Sequence, residues 1–449
     1  MRLKFIMKHR FIRFLLFLYV FSFVFDFKKD DSGGDWVQYL FAALSLISSL
    51  FLSLSIEWSR VPRRLIRIIF FWFAFLLVGV LSAVLHGVSW EFLLRVFLPF
   101  LLCGMSMLAV ASCITVGFPV VSFFRIIFWA AVVSMAWSAF YALVFDGYYL
   151  DDVRYRILSP VIVYLIVHGV VFVYASPGYS IGPFVICGAT AVLSILSETR
   201  SLLIVNALTS VLCILLILYS RWFSRVGGWI RSGFFVKYVG MYALGMIVAL
   251  SLVLIRPDIF SSFAHRILGY QEARSQVDPT YLTRVAESSG MMEMMQQNPM
   301  TFIWGYGFGQ SYHWSLDYAE ELAPYVGNFS NKVQWEAGHV TPVYLFFATG
   351  FLGVILCFFI ALYILSEMYF VFSRYRRDVL LFLDVNFMVV AIAVFGFCVA
   401  ALTGNIFGSR LSGLYFGLLL GAICWKRSSW ENVLVARDVS AINKKRTTR

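Results

Sequence analysis

Long apolar runs alternate with short charged segments along the whole chain. A transmembrane helix needs roughly 20 mostly apolar residues, and most of the runs are close to that length. The pattern predicts an all-α polytopic membrane protein with about 12 transmembrane helices. The apolar runs fall at about 11–25, 36–56, 66–85, 92–111, 119–145, 157–175, 181–197, 201–219, 233–255, 340–372, 380–403 and 409–425.

The basic residues between these runs predict an orientation. Arginine and lysine cluster at the N-terminus, at 60–67, 221–237 and 374–377, and at the C-terminal end. With twelve spans, all of these clusters fall on one side, which the excess of positive charge marks as the cytoplasm. Both termini are therefore expected in the cytoplasm.

These boundaries divide the chain into four segments. Residues 1–255 hold the first nine spans, and 256–338 form one large, partly helical periplasmic loop. Residues 339–425 hold the last three spans, and 426–449 are a basic cytoplasmic tail.

Composition agrees with a chain that is solvated by lipid. Apolar residues make up 61% and charged residues 13%, against about 25% charged residues in soluble domains. The net charge of +12 lies in short connections between apolar runs, so we expect membrane lipid and not nucleic acid as the partner. The seven cysteines lie within or at the ends of apolar runs and show no disulfide or zinc spacing, and no metal or cofactor is expected.

The long loop is neither low-complexity nor short. It has about 83 residues, and structureless loops of that length are uncommon in ordered proteins. A helix-like stretch runs from Tyr281 to Gln297 and leads through Pro299 into the Gly-Tyr-Gly-Phe-Gly sequence at 305–309. We expect an ordered extracytoplasmic cap that is part helix and part irregular chain. Its tryptophans, Trp304, Trp314 and Trp335, are candidates either for contacts with a ligand or for the core of the loop.

A first candidate functional residue is Arg200, in the turn Ser-Glu-Thr-Arg-Ser at 197–201. It stands at the start of an apolar helix, where free N–H groups and a partial positive charge point outward. A guanidinium there suits phosphate oxygens. A local ion pair with Glu198 is the alternative interpretation.

A second candidate is His339, just before the tenth span. Thr341 suits a helix N-cap and Pro342 the first helical turn, so His339 is expected at the boundary of loop and membrane. Imidazole changes its charge between pH 5 and 8, which makes histidine a suitable general base for a hydroxyl nucleophile. A structural role is the alternative, and a single histidine taken alone is more often structural.

Four arginines stand in the first part of the loop, although the loop is net acidic with five basic and nine acidic residues. Among them Arg284 is the preferred anion-binding candidate, because it opens the helix-like stretch that leads to residues 305–309. Surface salt bridges are the alternative. The four are Arg256, Arg266, Arg274 and Arg284.

Taken together, these residues resemble a pattern of the O-antigen ligase and polymerase superfamily. His339, Val340 and, after nine residues, Gly350-Phe351-Leu352-Gly353 resemble its His motif. The turn at 198–201 and the segment from Arg284 through Pro299 to Gly309 are similar to two further family motifs. A large loop between the ninth and tenth of twelve spans is also typical of the family.

The resemblance implies a metal-independent, inverting glycosyltransferase on the periplasmic face. It would move a glycan from undecaprenyl pyrophosphate to a sugar hydroxyl, with His339 as the catalytic base and Arg200, Arg284 and Arg266 binding the pyrophosphate. The favoured acceptor is lipid A–core, which makes the protein an O-antigen ligase. A polymerase that uses a lipid-linked glycan acceptor, a lipid-linked glycan flippase and a scaffolding membrane protein are the alternatives.

Overall fold

A computed structural model of the protein describes residues 2–25, 36–144, 161–175, 181–196, 200–219, 279–323, 333–334, 338–375 and 382–425. Every predicted apolar run within these ranges is helical. The run at 233–255 lies outside the described residues, as do residues 256–278 and the basic tail.

The described elements are helices with one very short strand pair. Strands β1 (Tyr312–His313) and β2 (Val333–Gln334) are antiparallel, with Tyr312 opposite Gln334. The helices are α1 (Arg2–Phe21), α2 (Trp36–Leu54), α3 (Arg63–Leu85), α4 (Trp90–Val116), α5 (Val120–Val144), α6 (Val161–Ala175), α7 (Ile181–Leu196), α8 (Arg200–Tyr219), α9 (Pro279–Gln297), α10 (Thr301–Trp304), α11 (Ala319–Leu322), α12 (Thr341–Tyr375), α13 (Phe382–Thr403) and α14 (Arg410–Trp425).

Six of the described helices are long and apolar enough to cross a membrane, namely α2, α3, α4, α5, α12 and α13. Helices α6, α7, α8 and α14 contain shorter apolar stretches of 10–17 residues. Large apolar side chains such as Phe70, Leu81 and Phe358 are half or more exposed on the outer surface of the helices, where a soluble protein would carry polar groups. The chain is therefore a helical membrane protein.

Helices α3 and α12 pack against each other in antiparallel fashion. Near the start of α3, Arg64 forms an ion pair of 2.7 Å with Glu367, late in α12. Two turns further along α3, the ring of Phe71 stacks on Phe359 with 5.4 Å between centroids. Residue numbers along α3 rise while those of their contacts in α12 fall. The end of α3 therefore lies beside the start of α12.

Small residues allow α14 to pack closely on α4. Gly413, Gly417 and Gly421 recur every four residues, so they lie on one face of α14. A Cβ atom on Gly413 or Gly417 would overlap the α4 backbone at Pro99 or Cys103, respectively. Such spacing of small residues is a common packing device between membrane helices.

The segment Gly305–Gly309 runs between α3, α4 and α12. Gly305, Gly307 and Gly309 all have positive φ angles, and a Cβ on any of them would overlap the backbone of a neighbouring helix. Between them, Phe308 is fully buried among the rings of α3 and α4. The predicted glycine-rich turn is therefore a packed insertion into the helix bundle.

This insertion bonds to a break in α12. Gly350 has φ +60° and ψ −165°, which interrupts the helix. The carbonyls of Phe347 and Ala348 accept hydrogen bonds from the N–H groups of Tyr306 and Gly307, both at 2.8 Å. The irregular backbone on both sides of this contact is therefore buried in protein with its polar groups bonded, as buried backbone requires.

Candidate functional site

Helix α9 lies over the start of α12 and is held there by the short strand β1. The N–H of Ser315 donates to the carbonyl of Ala286 at 2.9 Å, and Gly290 lies against the carbonyl of His313. The predicted helix at 281–297 is confirmed, with bounds Pro279–Gln297. Its buried face carries Leu282, Ala286, Glu287, Gly290, Met291 and Met295.

A carboxylate on this buried face binds the candidate base. Glu287 Oε2 accepts hydrogen bonds from the backbone N–H of His339 at 2.9 Å and from its ring Nδ1 at 3.1 Å. The hydroxyl of Tyr312 donates to Glu287 Oε1 at 2.7 Å. Glu287 is almost fully buried, whereas the His339 side chain is 62% exposed. Glu287 is therefore the buried, fixed member of the pair, and His339 is the member that a substrate can reach.

The charge state of Glu287 follows from its partners. Burial raises the pKa of this carboxyl, but the hydrogen bonds and positive charge of His339, together with the Tyr312 hydroxyl, outweigh it. The net result is a pKa below the ordinary value, so Glu287 is ionised at neutral pH.

An ionised carboxylate decides which nitrogen of the neutral His339 ring carries the proton. A carboxylate only accepts hydrogen bonds, so Nδ1 must be the donor, and Nε2 keeps its lone pair. Within the described part of the chain, no residue bonds to Nε2. The His339 ring is therefore fixed through Nδ1 by Glu287, and its Nε2 is an accessible proton acceptor.

Sequence reasoning missed Glu287. A signal was present, because Glu287 is a charged residue within a stripe of small and apolar side chains such as Ala286, Gly290 and Met291. A charge on the buried face of a helix is costly unless it is paired, so its partner is worth seeking. Its partner lies 52 residues further along the chain.

Arg284 lies one turn before Glu287 on α9. Residues three apart on a helix are neighbours, with about 5–6 Å between their Cβ atoms. Arg284 is half-buried, and among the described residues nothing accepts a hydrogen bond from its Nε. The structure thus brings a guanidinium to the helix that holds the His339 partner.

The other two predicted arginines are less well described. Arg200 is the first residue of α8, as the sequence predicted, but its side chain lies outside what the structure describes. Arg266 lies outside the described residues altogether. Their roles in binding pyrophosphate stay predictions.

The start of α12 is tied to the end of α13. The helix begins at Thr341, close to the predicted start, and the Thr341 hydroxyl donates to the carbonyl of Gly404 at 2.8 Å. Gly404 directly follows α13, so His339 and the end of α13 lie at the same end of the bundle.

An open groove of about 530 Å³ lies between α9 and the first turns of α12. Ser288, Ser289, Glu293 and Gln296 line it from α9, and Pro342 is among the residues that line it from α12. At roughly 100° per residue, these α9 positions lie about 100–180° around the helix axis from Glu287. The groove therefore opens on a different face of α9 from the Glu287–His339 pair.

The two described tryptophans of the loop differ in exposure. Trp314 is buried with 6% of its surface exposed, which favours a role in the core of the loop. Trp304 is 44% exposed, and its backbone carbonyl accepts a hydrogen bond from Ser82 at 2.6 Å. Trp335 lies outside the described residues.

No protein-family model matches this chain, and comparison with curated proteins finds no significant similarity. The fold and the site define a helical membrane protein with a carboxylate–histidine pair at one end of its bundle.

Proposed function

We propose that the protein is a glycosyltransferase of the O-antigen ligase and polymerase type, working at the periplasmic face of the bacterial inner membrane. It moves a glycan from undecaprenyl pyrophosphate to a sugar hydroxyl of an acceptor, with lipid A–core as the favoured acceptor. The observation that carries the proposal is the Glu287–His339 pair, because a carboxylate behind an exposed imidazole is an arrangement suited to a general base.

The reaction follows from this arrangement. The acceptor hydroxyl oxygen attacks the anomeric carbon of the donor glycan while its proton passes to His339 Nε2. The bond from that carbon to the pyrophosphate oxygen breaks, and undecaprenyl pyrophosphate leaves with the bonding electrons. Direct displacement inverts the anomeric centre. Glu287 stabilises the imidazolium that forms, because its negative charge lies against Nδ1–H.

Negative charge grows on the departing pyrophosphate, so a fixed cation near it lowers the barrier. Arg284 is the best supported candidate, since it lies one turn from Glu287 and has an unsatisfied Nε among the described residues. A guanidinium offers several donors in a planar fork that suits phosphate oxygens. Arg266 and Arg200 complete the proposed set.

The proposed topology has twelve spans, with α9 to β2 in a periplasmic cap. In it α8 and α13 are antiparallel neighbours, which agrees with the contacts of Gly396 in α13 with Val205 and Thr209 in α8. Measured from this contact along the helix axes, Arg200 lies about 10 Å towards the start of α8, and Gly404 lies about 12 Å towards the end of α13. If the two helices are antiparallel, Arg200 lies at the level of Gly404, and therefore of Thr341.

The test is glycan transfer by the purified, reconstituted protein. Undecaprenyl-pyrophosphate-linked glycan and lipid A–core are supplied, and glycosylated lipid A–core is measured. We expect His339→Ala to lower the rate about 100-fold or more, the usual size of a general-base contribution. His313→Ala is the matched control, because His313 is an exposed histidine of the same cap. Wild-type transfer that survives His339→Ala would remove the proposed mechanism.

The other functions predict different results in the same vesicles. A polymerase extends the lipid-linked glycan when that is the only acceptor present. A flippase moves labelled lipid-linked glycan across the bilayer with or without an acceptor. For a scaffold, Arg200→Ala and His339→Ala leave the glycan products of cells unchanged at normal expression.

A further inference from the structure

The groove between α9 and α12 has two chemically different walls. Its α9 wall carries hydroxyl, carboxylate and amide groups from Ser288, Ser289, Glu293 and Gln296. Its α12 wall is apolar, with Pro342, Val343 and Phe346. A few convergent polar groups beside apolar surface are typical of sites for small uncharged ligands.

The charge of the groove disfavours binding of the donor pyrophosphate. No lysine, arginine or histidine is among its described lining residues, and its one ionisable group is the carboxylate of Glu293. A pyrophosphate would meet like charge there with no cation to offset it. Sugar hydroxyls, in contrast, can donate to the carboxylate, to serine oxygens and to the Gln296 carbonyl.

The position of the groove also fits an acceptor. Pro342 follows His339 by three residues, which span at most about 11 Å of extended chain. The other end of the groove approaches the apolar surface, since Phe346 packs against Phe302 with 6.0 Å between ring centroids. Just beyond lie Met300 and Ile303, both about half exposed. A ligand in this groove therefore meets polar groups along one wall and exposed apolar side chains at one end.

We propose that this groove binds the acceptor glycan through its uncharged sugars, on a different face of α9 from Glu287. The inference rests on the proposed glycan transfer and adds to it a separate acceptor subsite. The donor pyrophosphate is bound elsewhere, by the arginines. Either lipid A–core or a lipid-linked repeat would present the same hydroxyl chemistry to the groove.

Two adjacent glutamines provide a matched test. Gln296 lines the groove, whereas Gln297 is an exposed residue of the same helix that does not. Gln296→Trp fills the groove, and Gln297→Trp adds the same side chain one position away. Binding of two fluorescent, delipidated probes to the reconstituted full-length protein is measured: a core oligosaccharide and a repeat-unit glycan.

We expect Gln296→Trp to weaken binding of the true acceptor by roughly tenfold or more and Gln297→Trp to leave it unchanged. The probe that is affected identifies the acceptor source. His339→Ala should keep full probe binding, which separates the groove from the catalytic base. In transfer assays, Gln296→Trp should raise the acceptor KM and leave the donor KM unchanged.

Equal binding by wild type and Gln296→Trp, or no binding of either probe by the wild type, would overturn the groove assignment. Transfer that still depends on His339 would then leave the proposed function intact. Probe binding that is lost in Gln296→Trp, in a protein that transfers no glycan, would instead keep the glycan site and refute the transferase.

Discussion

His339 is bound twice by one atom: its backbone N–H and its ring Nδ1 both donate to Glu287 Oε2, at 2.9 and 3.1 Å. The first bond fixes the main chain just before α12, and the second fixes the rotation of the ring. Glu287 is fixed in turn by the Tyr312 hydroxyl. One carboxylate thereby sets the position, orientation and tautomer of the proposed base.

Replacement of Glu287 by glutamine should lower kcat and leave the substrate KM values nearly unchanged. The amide keeps the shape of the side chain but cannot stabilise the imidazolium by charge. We expect a decrease in kcat of about 10–100-fold, smaller than that for His339→Ala. Steady-state transfer kinetics with reconstituted protein measure it. Glu320→Gln, at an exposed position on α11, is the control, and an equal effect of both changes would contradict the orienting role of Glu287.

The same carboxylate should make stability depend on pH. Its pKa is lowered in the folded protein, so it contributes stability above its ordinary value of 4.5, and this contribution is lost as the pH falls through the folded pKa. The apparent Tm of the wild type should therefore exceed that of Glu287→Gln at pH 7. The difference should shrink steadily below about pH 4.5.

Thermal unfolding in detergent between pH 7 and pH 3 measures this difference, with Glu320→Gln again as the control. A wild-type advantage that grows as the pH falls would mean that the pKa of Glu287 is raised in the folded protein, contrary to its hydrogen bonding.

Gly305 should tolerate no side chain. Its φ of +76° with ψ of −176° is a region that only glycine adopts readily, and a Cβ would overlap the backbone of Ala348 and Thr349 in α12. We expect Gly305→Ala to destabilise the protein by about 3 kcal/mol or more.

Gly87→Ala separates strain from overlap. Gly87 also has a positive φ, +65°, but a Cβ there meets nothing within 4 Å. Its cost should be about 1 kcal/mol, from backbone strain alone. Denaturant unfolding in detergent compares the two variants. Equal costs would show that the insertion at 305–309 is not tightly packed on α12.

The helices could be predicted from the sequence because the bilayer imposes the length of an apolar run. The helix at 281–297 was also predictable, since Pro299 and the glycines beyond it mark its end. The fate of residues 305–309 was not, because glycine suits an exposed turn and a close helix contact equally well. Only the packing on Ala83, Phe92 and Ala348 distinguishes the two.

The site was predictable in part for a related reason. His339 and Arg284 could be selected from their neighbours in the sequence, because each stands at a helix start or at the head of a motif. The contact of His339 with Glu287 joins residues 52 positions apart, and nothing local encodes it. It depends on α9 folding over the start of α12, which is a property of the tertiary structure.

The ion pair between Arg64 and Glu367 should be important for the stability of the bundle. Glu367 is fully buried, and Arg64 Nη1 lies 2.7 Å from its carboxylate. Removal of one partner of a buried ion pair typically costs about 3–5 kcal/mol, because the buried carboxylate loses the attraction of its cation. We therefore expect Arg64→Ala to destabilise the protein strongly. Denaturant unfolding in detergent measures the loss.

Two comparison variants make the cause of that loss explicit. Arg60→Ala removes the arginine of an exposed pair with Glu57, so it should cost at most about 1 kcal/mol. The double variant Arg64→Ala with Glu367→Gln removes the buried charge as well and should recover part of the stability, because a neutral amide is less costly to bury than a carboxylate. If the double variant is no more stable than Arg64→Ala, the loss comes from the packing of the Arg64 side chain and its bond to Ser366, and not from the buried charge of Glu367.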